Sequence, residues 1–201
     1  MLWKALDIPL VGYPVKFAYC DRLERFCPGY GISRAMKHHF LHSIVFVLVC
    51  VCAGLVNAQS PGTQAPPFHL EGPSGSINLS DLRGKVVYLD FWASWCGPCK
   101  ESFPWMEHMQ GKYADMGLTV VAVNLDKRRE DALKFLQNRR QLLSVVWDPQ
   151  GLTPKAYAVK AMPTSVLIGR DGKILKVHSG FRSDGTADLE SQVRLALQTK
   201  E

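Results

Sequence analysis

The chain has 201 residues, a formal net charge of +6, 47% apolar residues and 21% charged residues. That balance suits a globular domain and excludes a disordered polar chain. Residues 1–58 hold six of the basic side chains (Lys4, Lys16, Arg22, Arg25, Arg34, Lys37) and three acids (Asp7, Asp21, Glu24), which leaves 18 basic and 15 acidic residues, net +3, in the remainder. So small an excess is no nucleic-acid footprint, and Lys127–Arg129 and Arg139–Arg140 read as solvated helix faces.

Residues 1–35 show no helical or strand period. They are expected to be an extension outside the native protein, with translation starting at Met36. Residues 36–58 carry the three parts of a secretory signal peptide: a basic start at Lys37, an uncharged apolar run from Ile44 to Val56, and the small-residue spacing Val56-Asn57-Ala58. The apolar run is too short to span a bilayer comfortably. Cys50 and Cys52 lack the preceding small residue of a lipoprotein acceptor. Residues 59–67, rich in Pro, Gly and Gln, read as a linker, and residues 68–201 as the domain.

Export changes the meaning of the cysteines. Four of the six (Cys20, Cys27, Cys50, Cys52) precede residue 59, so the exported chain keeps only Cys96 and Cys99. One C-x-x-C is no disulfide framework, and so short a loop constrains the unfolded chain little. Structural zinc wants four ligands. Two cysteines and three scattered histidines (His69, His108, His178) offer a poor set, so no metal and no cofactor are expected.

The domain opens with two extended runs around Gly72-Pro73-Ser74-Gly75, a predicted hairpin over 68–79. Lys85–Phe91 is a continuous apolar strand with one carboxylate, Asp90, and therefore a central strand. A helix over 97–115 puts Phe103, Met106 and Met109 on one face. Residues 118–125 form a second central strand, and 129–140 a helix burying Ala132, Phe135 and Leu136. A short strand over 142–148, a turn and a brief helix over 154–159 follow. Residues 163–180 form a hairpin turning at Asp171-Gly172. The last helix, 187–198, buries Leu189, Val193, Ala196 and Leu197. This order gives an α/β fold: a mixed sheet with helices on both faces.

Cys96 ends a strand and opens a helix. A thiolate there meets free N–H groups and the positive end of the helix dipole, which favours the charged form. Cys99 lies one turn on, within reach of a disulfide, and Pro98 costs little in the first turn. Cys96 is expected to be the exposed attacking sulfur and Cys99 the shielded partner that resolves the mixed disulfide. Asp90, six residues before Cys96 and desolvated on its strand, is expected to take the proton of Cys99.

The segment "DFWASWCGPCK" resembles the active-site segment of thioredoxins, and "AMPTSVLI" resembles their proline loop. The likeness spans about residues 68–198. It implies a thioredoxin-like fold, a cis Met162–Pro163 bond, Pro163 against the cysteines, and a Met162 backbone free to pair with a substrate strand. A substrate-docking surface of Trp95, Gly97, Pro98, Met162 and Thr164 goes with it. The N-terminal hairpin and a helix–strand insert over 129–147 narrow the resemblance to exported TlpA/ResA-like thiol–disulfide oxidoreductases. That implies a periplasmic protein, tethered if the signal peptide stays, and monomeric. It would reduce protein cysteine pairs, those of apocytochrome c among them, and draw electrons from a DsbD- or CcdA-like membrane protein.

Three positions depart from the pattern. Many TlpA/ResA-like proteins carry Asn where this chain has Asp90. The ResA-related glutamate three residues after the second cysteine is Ser102 here. The thioredoxin lysine near the buried carboxylate falls on Ala122. A dedicated cytochrome-maturation role is therefore not supported residue by residue. Rival readings are a thiol oxidase or isomerase, a non-catalytic binding module, and a thiol peroxidase; Ala93 stands where peroxidases need threonine. Trp92 and His178 are expected to be structural.

Overall fold

The computed structural model describes residues 60–199. The expected extension (1–35) and signal peptide (36–58) lie outside the described residues. The fold follows from one sheet. The hairpin is β1 (His69–Gly72) and β2 (Gly75–Asn78), followed by a 3-10 turn, Leu79–Leu82. Then come β3 (Val86–Trp92), α1 (Gly97–Tyr113), β4 (Leu118–Asn124), α2 (Arg129–Leu136), β5 (Ser144–Trp147), α3 (Leu152–Ala156), β6 (Thr164–Ile168), β7 (Ile174–Ser179) and α4 (Thr186–Gln198). The five-stranded sheet runs β5-β4-β3-β6-β7, parallel on the β4–β5 side of β3 and antiparallel on the β6–β7 side. This is the expected mixed sheet, with the expected added hairpin and helix–strand insert.

Strand alternation sorts the core. Val86, Tyr88 and Trp92 of β3 join the cluster that includes Phe103, Met106 and Met109 of α1, Ala132 and Leu136 of α2 and Val193 of α4. Val87, Leu89 and Phe91 join the opposite cluster with Phe68, Leu79 and Tyr157. All seven residues of β3 are buried, as a strand covered on both faces must be. The helix faces predicted from periodicity are the buried ones: Leu189, Val193, Ala196 and Leu197 on α4, and Ala132 and Leu136 on α2, with Phe135 half-buried. No described helix is long and apolar enough to cross a membrane.

Two expectations change. Residues 60–67 are no free linker. The Gly62 amide donates to the Ile174 carbonyl (2.7 Å), Ile174 returns a bond to Thr63 (2.8 Å), Ala65 donates to Gly172 (3.0 Å), and Ala65 is buried. The edge of the closing hairpin offers unpaired backbone groups, and the incoming chain satisfies them. Helix α2 stops at Leu136, not Arg140. The polar tail after it has no apolar residue to bury; instead the Arg140 amide donates to Glu107 Oε1 (3.1 Å), and the Arg139 guanidinium sits over Phe135, 4.7 Å from the ring centre.

Candidate active site

Cys96 and Cys99 are joined as a disulfide (S–S 2.02 Å). Cys96 is the N-cap of α1, and its sulfur accepts from the Cys99 amide at 3.3 Å. Pro98 falls in the first turn, where its missing N–H leaves no gap in the helix. Cys96 is 6% exposed and Cys99 0%. The asymmetry has the expected sense, but in this oxidised form Cys96 is nearly covered. A sulfur at this cap sits where backbone N–H groups and the helix dipole favour negative charge.

The approach to Cys96 is fastened from behind. Asp126 accepts the Ser94 amide (2.9 Å), the Ser94 hydroxyl (3.0 Å) and the Asn124 side-chain amide (2.7 Å). The Cys96 amide donates to the Ala93 carbonyl at 3.1 Å. Asn124 ends β4, so the two central strands together hold the loop that presents the sulfur. Nothing in the local sequence marks Asp126 for this task, because Ser94, the residue it fastens, lies 32 positions away.

Asp90 is 2% exposed and its Oδ2 meets no protein hydrogen-bond partner. Alternation puts it on the sheet face of Tyr88 and Trp92, the face that also carries both cysteines. Its ladder neighbours are Ala122 on β4 and Ser165 on β6. Burial pushes its carboxyl well above the usual carboxylate range. Burial, and then the neighbouring Asp90 charge, raise the Tyr88 phenol, against a smaller opposing effect of its hydrogen bond to Ser165.

The Met162–Pro163 peptide is cis. Pro163 is buried, Met162 half-buried, and the Pro163 carbonyl accepts from the Gly180 amide at 2.7 Å. Met162 makes no backbone hydrogen bond among the described residues. A groove of about 320 Å³ runs beside this loop, lined by Pro98, Met162, Pro163, His178, Phe181 and Arg182 among others. Gly97 and Pro98 are exposed, and Trp95 is 68% exposed. Thr164, expected in the docking surface, is buried instead, its hydroxyl donating to the Ala161 carbonyl at 2.7 Å. It ties the proline loop and does not face the groove. Trp92 is buried in an aromatic cluster, its ring 4.6 Å from Phe103 and 5.2 Å from Phe135. Ser102 is buried, donating to the Cys99 carbonyl at 2.9 Å. Sequence reasoning missed His178 and the Phe181–Arg182 loop as groove residues. Their signal is non-local: the β6–β7 pairing brings them beside the proline loop.

The comparisons agree with this geometry. The profile of the Redoxin family matches residues 60–193. Thiol-disulfide oxidoreductase ResA of Bacillus subtilis (strain 168) is 36% identical over 150 residues, covering 70% of this chain and 84% of ResA. ResA of Halalkalibacterium halodurans is 37% identical over 120 residues, covering 59% and 68%. Among solved structures, a Chlorobium tepidum protein described as a thiol:disulfide interchange protein DsbE shares 54% identity at a TM-score of 0.67, covering 69% of this chain and 98% of that one.

Proposed function

We propose that this chain, which belongs to the Redoxin family and is a thiol–disulfide oxidoreductase of the thioredoxin fold, reduces protein disulfides outside the cytoplasm. The observation that carries the reading is the stack of one site: a sulfur capping a helix, a fully buried partner sulfur, and a buried, unpartnered carboxyl on the same sheet face.

The cycle is a two-electron exchange. The Cys96 thiolate attacks one sulfur of the substrate disulfide; that S–S bond breaks and one substrate thiolate leaves. Asp90 takes the Cys99 proton. The Cys99 thiolate then attacks Cys96 Sγ, closing the internal disulfide and releasing the second substrate thiolate. The protein is oxidised and the substrate reduced. A membrane dithiol donor of the DsbD or CcdA type restores the dithiol. Substrates are proteins with cysteine pairs, bound as a strand along Met162, with Trp95, Gly97 and Pro98 packing beside the reacting sulfurs. Export rests on the signal-peptide pattern of residues 36–58, and the direction of electron flow on Gly97-Pro98 between the cysteines.

The test is the reduction potential of the Cys96–Cys99 pair in the purified protein, equilibrated against glutathione and dithiothreitol. A value near thioredoxin's, about −270 mV, is expected; one near DsbA's, about −120 mV, would make this an oxidant of exported chains and overturn the direction. In parallel, Cys99→Ser should accumulate a mixed disulfide with substrate. Cys96→Ser should lose turnover by at least about 10³-fold, the scale on which loss of a covalent nucleophile is felt.

A further inference from the structure

A base buried as deeply as Asp90 needs a way to return its proton to water. Three strands place a row of side chains in register: Asp90 on β3 opposite Ser165 on β6, and Ser165 opposite His178 on β7. Directly opposed residues in antiparallel pairs project to the same face, with Cβ atoms about 5 Å apart. The row therefore runs sideways through the sheet, from the buried carboxyl to a half-exposed imidazole. The Tyr88 hydroxyl donates to Ser165 Oγ at 2.7 Å, which leaves the serine hydrogen free to donate onward. A cavity of about 10 Å³ is lined by Tyr88, Ser165, His178 and Gln192 among others, room for about one water. His178 also lines the groove beside Pro163. One imidazole thus lines both the small cavity and the groove beside Pro163.

We propose that Ser165, the water-sized cavity and His178 form a proton relay that connects Asp90 to solvent in the groove. The inference rests on the reading of Asp90 as the base for Cys99. Asp90 and Ser165 share no hydrogen bond in the oxidised form, so the carboxyl that has taken the Cys99 proton turns toward Ser165 Oγ, and its O–H bond breaks as the proton passes there. The serine gives its own hydrogen to a cavity water, and the water gives one of its hydrogens to a ring nitrogen of His178. The imidazolium releases its proton into the groove, and every relay group returns to its starting state. No oxidant or reductant is involved. Histidine suits the outer position because one ring nitrogen can accept a hydrogen while the other donates one.

The other groups around the row do not compete for the task. Tyr88 lies two residues before Asp90 on the same face of β3, the apolar Ala122 of β4 is its ladder partner, and Cys99 of α1 belongs to the cluster packed on that face. Burial makes the Tyr88 phenol a poorer acid than usual, so it holds Ser165 in place and does not ionise. Around His178 stand Lys176 on its own strand, the neutral Gln192 from α4, and Arg182 and Asp184 in the groove. Arg182 and Asp184 are paired at 2.7 Å.

The test follows the resolving step by stopped flow. Reduced full-length protein is mixed with a short peptide disulfide at pH 7 in dilute buffer, with and without added imidazole. His178→Asn should resolve about tenfold more slowly, a modest share of what a proton-transfer group supplies. Millimolar imidazole should restore its rate, because a small base can enter the groove. The pair Tyr88→Phe with Ser165→Ala removes both hydroxyls together and leaves no buried orphan; it should be slow and not restored, since its gap lies inside the protein. Asp90→Asn is the control for the underlying reading. If Asp90→Asn is slow while His178→Asn matches the parent, or while His178→Asn is slow yet indifferent to imidazole, the relay is overturned and the base stands. If Asp90→Asn matches the parent, the base reading itself fails and the relay with it.

Discussion

Three places in this molecule bury an aspartate, and they do not bury it alike. Behind the active-site loop, Asp126 receives the Ser94 amide and hydroxyl and the Asn124 amide. At the head of α3, Asp148 receives the amides of Gly151 (2.9 Å), Leu152 (3.3 Å) and Thr153 (2.7 Å). Asp90, on the central strand, has an oxygen that no protein donor reaches. All three are at most 4% exposed. Burial with donors on hand makes a structural carboxyl, its oxygens satisfied by hydrogen bonds. Burial without donors makes a reactive one, because only protonation relieves the desolvation. The difference is one of partners and not of depth.

Removing the donor-poor member should cost most. Asp90→Asn should lower disulfide turnover by about 100-fold at pH 7, within the usual range for a lost general base, as measured by reduction of a protein disulfide. The same change should stabilise the oxidised protein. The Asp90 carboxyl is raised in the fold, so its contribution is intact below the ordinary value of about 3.9 and lost as pH rises through the raised value. The melting temperature of Asp90→Asn should therefore exceed the parent's at pH 8 by about 3 °C or more. The gap should vanish near pH 3.5. An equal gap at both pH values would show that packing, not titration, is responsible.

The donor-rich carboxylates should behave the other way. Asp126→Ala and Asp148→Ala each leave several buried donors unpaired and should cost about 2 kcal/mol or more in denaturant unfolding. Asp148→Ala should keep turnover within about twofold of the parent, since the donors its side chain accepts from all lie in residues 151–153. Asp126→Ala should lose about fivefold, because Ser94 positions the loop into Cys96 and misplacement there slows the chemistry. If both variants lose activity equally, the anchoring role of Asp126 is refuted.

A smaller change should convert one kind of carboxylate toward the other. Ala122 faces Asp90 across the parallel ladder. Ala122→Ser would offer a hydroxyl to the charged carboxylate, which favours ionisation. The pH midpoint of turnover should move down by about half a unit. No movement would mean that the hydroxyl turns elsewhere and the donor argument fails at this position. Trp95→Ala should have the least effect, raising KM a few-fold with kcat nearly unchanged, as expected of an exposed contact at the edge of a docking surface. A fall in kcat alone would place Trp95 in the chemistry.

Much of this was legible beforehand. The cysteine spacing, Asp90 six residues upstream and the proline loop are local patterns, each readable because its parts lie within one strand, turn or helix end. The apolar run around Asp90 announced a buried strand, and helical periodicity named the faces of α1 and α4. The docking of residues 60–67 was not legible, because proline and glycine signal a break in regular structure and say nothing about which distant edge will accept the backbone. The buried position of Thr164 escaped for a similar reason: its partner is the Ala161 carbonyl inside a loop whose course is fixed by the sheet.

Short-range patterns carried the chemistry: two sulfurs one helical turn apart, a carboxylate on an apolar strand, and a fold class set by alternating periods. Local composition is enough for that, since strand, turn and helix cap are short-range events. Only the tertiary structure decided which polar groups meet. Register across β3, β6 and β7 aligned Asp90, Ser165 and His178, residues up to 88 positions apart in the chain. It also gave Asp126 three donors and left Asp90 Oδ2 with none. Those pairings arise from sheet order and twist, which the whole core sets at once, and no short stretch of sequence encodes them.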